Sequence, residues 1–174
     1  SVVGIEVPNV VTSLVGLRGV IETPAFQKLK AKSKLAIALG QDVSGSPICA
    51  DLSKMPHLLI AGATGSGKTV CLNSVIACFL FNATPEEVKL IMVDPKMVEL
   101  VGFNGIPHLI APVVTEVEKV VNVLKWATRE MERRYKLFSA AGARNIETYN
   151  RLPSAKRGGE YLPFVVVIID ELAD

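Results

Sequence analysis

Residues 62–69, GATGSGKT, have the spacing G-x-x-x-x-G-K-[ST], with an apolar run before them and an apolar helical stretch after them. A phosphate chain has to be wrapped closely by backbone amides, so side chains must be absent where the backbone turns. Gly62, Gly65 and Gly67 supply those turns. The loop would then feed a helix N-terminus, whose unpaired amides and dipole favour anions. Lys68 would set a cation against the β- and γ-phosphates, and the Thr69 hydroxyl would ligate Mg²⁺. The expected phosphate cradle is Gly62, Ala63, Thr64, Gly65, Ser66, Gly67, Lys68, Thr69 and Val70. A glycine-rich turn that merely caps a helix is the plain alternative. At average glycine content, a chance match to the four fixed positions arises in roughly one chain of this length in a hundred, or fewer.

The second pattern is FVVVIIDE, residues 164–171, an apolar run ending in two acids. Asp170 is placed to hold a Mg²⁺-bound water beside Thr69, and Glu171 to polarise an attacking water. A strand ending in two acids is common. Joined to a phosphate loop 102 residues upstream (Lys68 to Asp170), it points to ATP hydrolysis rather than phosphate binding alone. Lys68, Asp170 and Glu171 are the catalytic candidates, and Thr69 and Asp170 the Mg²⁺ ligands. No N-K-x-D for a guanine base and no L-S-G-G-Q is present. Asp94-Pro95-Lys96 closes another apolar run at the sheet end where ligands bind in open α/β folds. It would face the nucleotide or an adjacent subunit, or form a plain turn begun by Pro95.

Charge is uneven. Residues 1–124 carry ten basic and ten acidic side chains, residues 125–157 nine against three, and residues 158–174 four acids and no base. A basic band is a weak hint of a polyanion partner. On a helix, however, Glu130 reaches Arg133 and Arg134, and Glu132 reaches Lys136, which is also how an ordinary solvated face looks.

Elements must position these residues. The runs 57–63 (HLLIAGA), 88–94 (VKLIMVD), 108–114 (HLIAPVV) and 164–170 (FVVVIID) are short, continuous and Val/Ile-rich, as in strands buried on both faces. Helices are expected over 67–81 and over 116–141. In the longer one Val117, Val120, Val121, Leu124, Ala127, Met131, Tyr135 and Phe138 recur as a core face, with Trp126 at its edge. Thr115 and Glu118 form a capping box, and Gly142 is placed to end the helix. Upstream, 2–8 reads as a strand, 24–33 as a short helix, and 35–40 with 46–52 as a hairpin about QDVSG. Residues 151–162 read as a polar, flexible loop. Strand–helix alternation of this kind is α/β, three layers. The expected division is a small β-rich lead-in, 1–55, and a P-loop core, 56–174.

The chain has 174 residues, 49% apolar, 21% charged and 6% aromatic, with net charge +2. That excludes intrinsic disorder and a base-stacking platform. Cys49, Cys71 and Cys78 lack metal or disulfide spacing and read as buried thiols in a reducing compartment. No apolar run approaches the ~20 residues of a membrane span, and the N-terminus has no signal-peptide pattern, so the chain is expected to be soluble.

In order, MPHLLIAGATGSGKTV, VDPKMVEL, GIPHLIAPVVTE, EMERRYKLFSAAGARNIETYN and FVVVIIDELAD resemble the motor domain of the FtsK/SpoIIIE family of bacterial DNA translocases, over nearly the whole chain. VVGIEVPN and LGQDVSGSPICADL resemble the stretch upstream of the family's P-loop. The resemblance implies a RecA-like fold with a mainly parallel sheet. It also implies a homo-hexameric ring around double-stranded DNA, driven by ATP and Mg²⁺ in chromosome segregation and cell division. It assigns Lys68 and Thr69 to Walker A, and Asp170 and Glu171 to Walker B. Thr69 stands where the family often has Ser, and either hydroxyl can ligate Mg²⁺. Family members usually carry an N-terminal membrane anchor and a C-terminal winged-helix domain, neither of which is in these residues. The expected setting is a cytoplasmic domain of a protein anchored in the bacterial inner membrane.

The family also continues past Walker B with a polar sensor, an arginine finger and the main DNA-contacting loops. Its sensor strand lies between the Walker A and Walker B strands, so a gap is expected in this sheet. The expectation is a portion of a longer polypeptide that alone hydrolyses ATP poorly. Two other readings compete: an FtsK-like ring ATPase moving protein in secretion, and a nucleotide-gated assembly module.

Overall fold

The computed structural model describes Val7 and residues 13–63, 65–156 and 159–171. The strand expected over 2–8 lies outside these residues, Val7 apart. The chain divides into two compact units, 1–78 and 79–174, and the boundary falls inside a helix, α3 (Lys68–Asn82).

The first unit holds α1 (Leu17–Ile21), α2 (Pro24–Lys30), β1 (Ala36–Gln41), β2 (Pro47–Asp51), a 3₁₀ turn (Leu52–Lys54) and most of α3. Thr23 caps α2, its hydroxyl accepting the Phe26 amide at 3.4 Å, and Pro24 takes the first helical position, where its missing N–H is no loss. β1 and β2 form the expected antiparallel hairpin. Its turn is fixed by Asp42, whose carboxylate accepts the Ser44 and Ser46 amides at 2.9 Å each and the Ser44 hydroxyl at 2.7 Å. Those donors hold the Asp42 carboxyl below its usual range. Val20 and Phe26, from helices packed on the hairpin, are buried with Ala36, Ile37 and Ala38. The Ala38 amide donates to the buried Cys78 Sγ at 3.3 Å. Cys78 is buried, whereas Cys49 and Cys71 are half-buried.

One expectation fails here. Residues 57–63 are not a strand among the described residues, and Leu58 and Leu59 are exposed. An apolar run becomes a strand only when a neighbour takes its backbone donors and acceptors. None of the described residues does so for this run.

The second unit holds β3 (Val88–Val93), a 3₁₀ turn (Val101–Phe103), α4 (Val117–Ala140), α5 (Ile146–Asn150), α6 (Pro153–Lys156) and β4 (Phe164–Ile169). β3 and β4 pair in parallel, Val88 opposite Phe164 through to Val93 opposite Ile169. β3 is buried on both faces, as a covered parallel strand should be, whereas β4 is half-buried except at Ile168. The run 108–114 is not the regular strand expected. It touches β3 at two parallel bridges, Leu90–Leu109 and Val93–Val114, with two extra residues looped out between them. Pro112, which has no N–H to give a ladder, sits in that bulge.

α4 matches its expected length and ends as expected. Gly142 turns left-handed (φ 64°), its amide donating to Ser139 O and that of Ala143 to Phe138 O, which makes a Schellman cap. The N-terminal capping box is corrected. Glu116, in extended conformation, holds the cap position and makes no side-chain cap bond, so Thr115 lies one residue too early. The core face is corrected too. No residue of α4 is buried, and Val117, Val121, Leu124, Met131 and Tyr135 are exposed. Periodicity fixes which side chains share a face, not whether anything covers it. α5, which the sequence reading missed, starts at Asn145, whose side chain accepts the Thr148 amide at 2.8 Å. The expected loop 151–162 contains α6 and is closed by Asn150, which exchanges two hydrogen bonds with the Leu162 backbone at 2.8 and 3.0 Å.

Candidate functional site

The glycine loop and the acidic strand end fall in different units. In the first unit the loop leads directly into α3, whose first residue is Lys68. Gly65 and Gly67 are left-handed, at φ 81° and 97°, conformations closed to most side chains. Gly62 is required for a different reason, since a Cβ there would fall on Ser66 Oγ. The Ser66 amide donates to Ala63 O at 2.9 Å, and Gly67 O accepts the Cys71 amide at 2.9 Å. The loop is thus a tight turn that hands the chain to a 15-residue helix. By construction the first amides of that helix have no carbonyl partner within it. They and the helix dipole favour an anion. Ala63, Gly65, Ser66 and Val70 are exposed, and Lys68 and Thr69 half-buried; Thr64 lies outside the described residues.

In the second unit, Asp170 and Asp94 follow the ends of two paired strands and lie side by side. The Asp170 amide donates to Val93 O at 3.0 Å, so the ladder runs on to the acid itself. Both carboxylates are buried, Asp170 at 5% exposure and Asp94 at 0%. Asp94 Oδ2 accepts the Glu99 amide at 3.0 Å and the Leu100 amide at 2.8 Å, while Oδ1 has no partner among the described residues. Burial pushes the Asp94 pKa up, but the backbone amides of Leu100, Glu99, Val98 and Met97 outweigh it and hold it below the usual range. Asp94 therefore does not point outward as a ligand. The turn expected as the alternative at Pro95 is present, the Met97 amide donating to Asp94 O at 3.2 Å, and the Asp94 carboxylate pins the loop 95–100 from inside, which the spacing alone does not reveal. Glu171 follows at left-handed φ 59°, its Oε2 3.7 Å from Lys96 Nζ.

The basic band divides. Arg133 makes bidentate pairs with both Glu130 and Glu160, at 2.7–2.9 Å. Arg134 binds Glu130 at 2.6 Å and the Pro163 carbonyl at 2.6 Å. The two arginines tie α4 to the segment entering β4. The Arg133 hydrogen bond leads in pulling the Glu130 carboxyl down to about 2, against the cost of burial and with Arg134 adding to it. Both arginines thus make structural contacts within the chain.

No group of three or more His, Cys, Asp or Glu among the described residues could hold a metal by itself. Mg²⁺ at a nucleotide needs only one or two protein donors, with phosphate oxygens and water completing its shell. A buried strand-end carboxylate, Asp170, and a hydroxyl, Thr69, suit that donor set in kind. Among the described residues no helix is long and apolar enough to cross a membrane.

DNA translocase SftA of Bacillus subtilis is 53% identical over 172 residues, which is 99% of this chain and 18% of SftA. DNA translocase FtsK of Clostridium tetani is 53% identical over 174 residues, 100% of this chain and 23% of that protein. The chain thus spans less than a quarter of the length of these relatives. The pCW3 conjugation coupling protein TcpA, solved as a monomer with ATPγS, superposes with a TM-score of 0.63 at 34% identity, over 80% of this chain and 36% of TcpA. The fold is the expected α/β, RecA-like P-loop core. The sequence pattern of the FtsK/SpoIIIE family matches residues 17–174, and the chain belongs to that family.

Proposed function

We propose that this chain is part of an ATP-driven motor that moves double-stranded DNA in chromosome segregation and cell division. The observation that carries the reading is an identity of 53% running through the whole chain to two proteins named DNA translocases. Residues 56–174 are the N-terminal part of the motor core and 1–55 its lead-in. The amides and small side chains of residues 62–70 cradle the phosphates, and Lys68 offsets charge on the β- and γ-phosphates. The Thr69 hydroxyl and, through water, Asp170 hold Mg²⁺, and Glu171 polarises the attacking water. Bound Mg²⁺·ATP supplies the transferable phosphoryl group and the neutralising charge. The protein works as a homo-hexameric ring around the duplex, in the cytoplasm, under a membrane anchor carried elsewhere in the polypeptide.

The test is ATP turnover by the intact protein with and without long duplex DNA, over a salt series. Turnover should rise with duplex DNA, and the stimulation should fall steeply with salt as phosphate contacts release counterions. Turnover indifferent to DNA would refute the DNA reading, and stimulation by a substrate protein would replace it with secretion.

A further inference from the structure

Among the described residues, two non-glycine residues have left-handed backbones, Met97 at φ 58° and Glu171 at φ 59°. They belong to the segments leaving two paired strands, β3 and β4. Side chains with a Cβ rarely adopt this conformation, and it persists where the surroundings over-determine it. Here the surroundings are visible. The inward Asp94 carboxylate gathers the amides of Glu99 and Leu100, and the Met97 amide closes the turn on Asp94 O at 3.2 Å. That turn carries Lys96 toward the end of β4, where its ammonium lies 3.7 Å from Glu171 Oε2.

Pairs such as Glu130–Arg133 join neighbours on one helix face. This one joins residues 75 apart in sequence (Lys96 to Glu171), each on the short segment just past a strand end. A loop anchored by a fully buried carboxylate brings them together.

We propose that Lys96 is a positioning residue for Glu171: the Asp94-anchored loop holds the ammonium against the carboxylate and fixes the direction in which Glu171 faces the attacking water. The proposal rests on the reading of Glu171 as the residue that polarises that water. Lys96 itself touches neither nucleotide nor water in this role. Its effect is on orientation, so it belongs to turnover and not to nucleotide affinity.

The experiment compares Lys96→Met, Lys96→Gln and Lys96→Arg in the intact protein, at saturating duplex DNA, with Glu171→Gln as control. kcat and KM for ATP are measured, with binding of a fluorescent ATP analogue as a separate readout. Both neutral variants should lose about tenfold to hundredfold in kcat, the scale of a misplaced catalytic group. KM and analogue binding should stay within about twofold, and Lys96→Arg should recover most of the rate. A double-mutant cycle with Glu171→Asp should be non-additive, because both changes act on one orientation. Parent-like kcat in both neutral variants, with Glu171→Gln inactive, would overturn this inference and leave the role of Glu171 standing. Normal turnover by Glu171→Gln would remove that role itself. A loss confined to KM, or a loss of kcat that Lys96→Arg does not rescue, would make Lys96 a binding or structural residue and overturn the proposal as well.

Discussion

The glycine loop and the acidic strand end, which we propose serve the same nucleotide, are built by opposite means. The loop is largely exposed and works through backbone, with Gly65 and Gly67 left-handed and Gly62 forced small by Ser66. The strand end presents buried carboxylates, Asp170 at the end of a backbone ladder and Asp94 inside a loop of amides. An exposed backbone cradle can be damaged without unfolding the protein. A buried carboxylate that gathers amides cannot be removed without cost to the fold. The difference is open to test at each residue.

Lys68→Ala should reduce turnover by about a hundredfold or more, the scale of losing one preorganised charge donor, with the melting temperature unchanged. Steady-state ATPase assays and a melting curve check both halves. Asp94→Ala should behave in the opposite way. It strips the buried Leu100 amide and the part-buried Glu99 amide of their acceptor, for a loss on the order of 2–4 kcal/mol of stability. Chemical denaturation reads it, and a variant as stable as the parent would break the contrast.

Glu130→Gln weakens the i,i+3 and i,i+4 pairs that hold Arg133 and Arg134 on α4 and should cost about 1.5–3 kcal/mol, the range for hydrogen bonds to charged groups. The same carboxyl sets a pH dependence. Its folded pKa, about 2, lies below the ordinary 4.5, so the unfolded chain binds more protons between those values. The Glu130 contribution is therefore complete above pH 4.5 and is lost as pH falls through about 2. Denaturant midpoints between pH 5 and 2.5 should fall less steeply in Glu130→Gln than in the parent. The smallest effect expected is that of Asn145→Ala, about 1 kcal/mol for a lost helix cap, with turnover unchanged.

Legibility in the sequence follows the same division. The loop could be read because backbone conformation restricts residue type. A left-handed turn asks for glycine, and three glycines at fixed spacing before Lys-Thr leave few alternatives. β3, β4, α3 and the Gly142 cap were legible for similar local reasons. What the sequence hid depends on neighbours. The apolar run 57–63 reads as a strand but has no ladder partner among the described residues. The apolar stripe of α4 reads as core but is exposed. Asp94-Pro95-Lys96 reads as a segment facing the nucleotide or an adjacent subunit, or as a plain turn; the turn is present, and the inward Asp94 carboxylate depends on amides up to six residues away. The pairing of Glu130 with Arg133 and Arg134 is legible from their spacing, but the longer reach to Glu160 and Pro163 is not.

The most direct test is ATP binding and ATP turnover measured side by side on the intact protein, Lys68→Ala and Glu171→Gln. Lys68→Ala should lose both, since the cradle is proposed to hold the nucleotide. Glu171→Gln should bind ATP like the parent and fail to turn it over, because the strand end acts on the water. Parent-like turnover by Glu171→Gln, or unimpaired binding and turnover by Lys68→Ala, would contradict it.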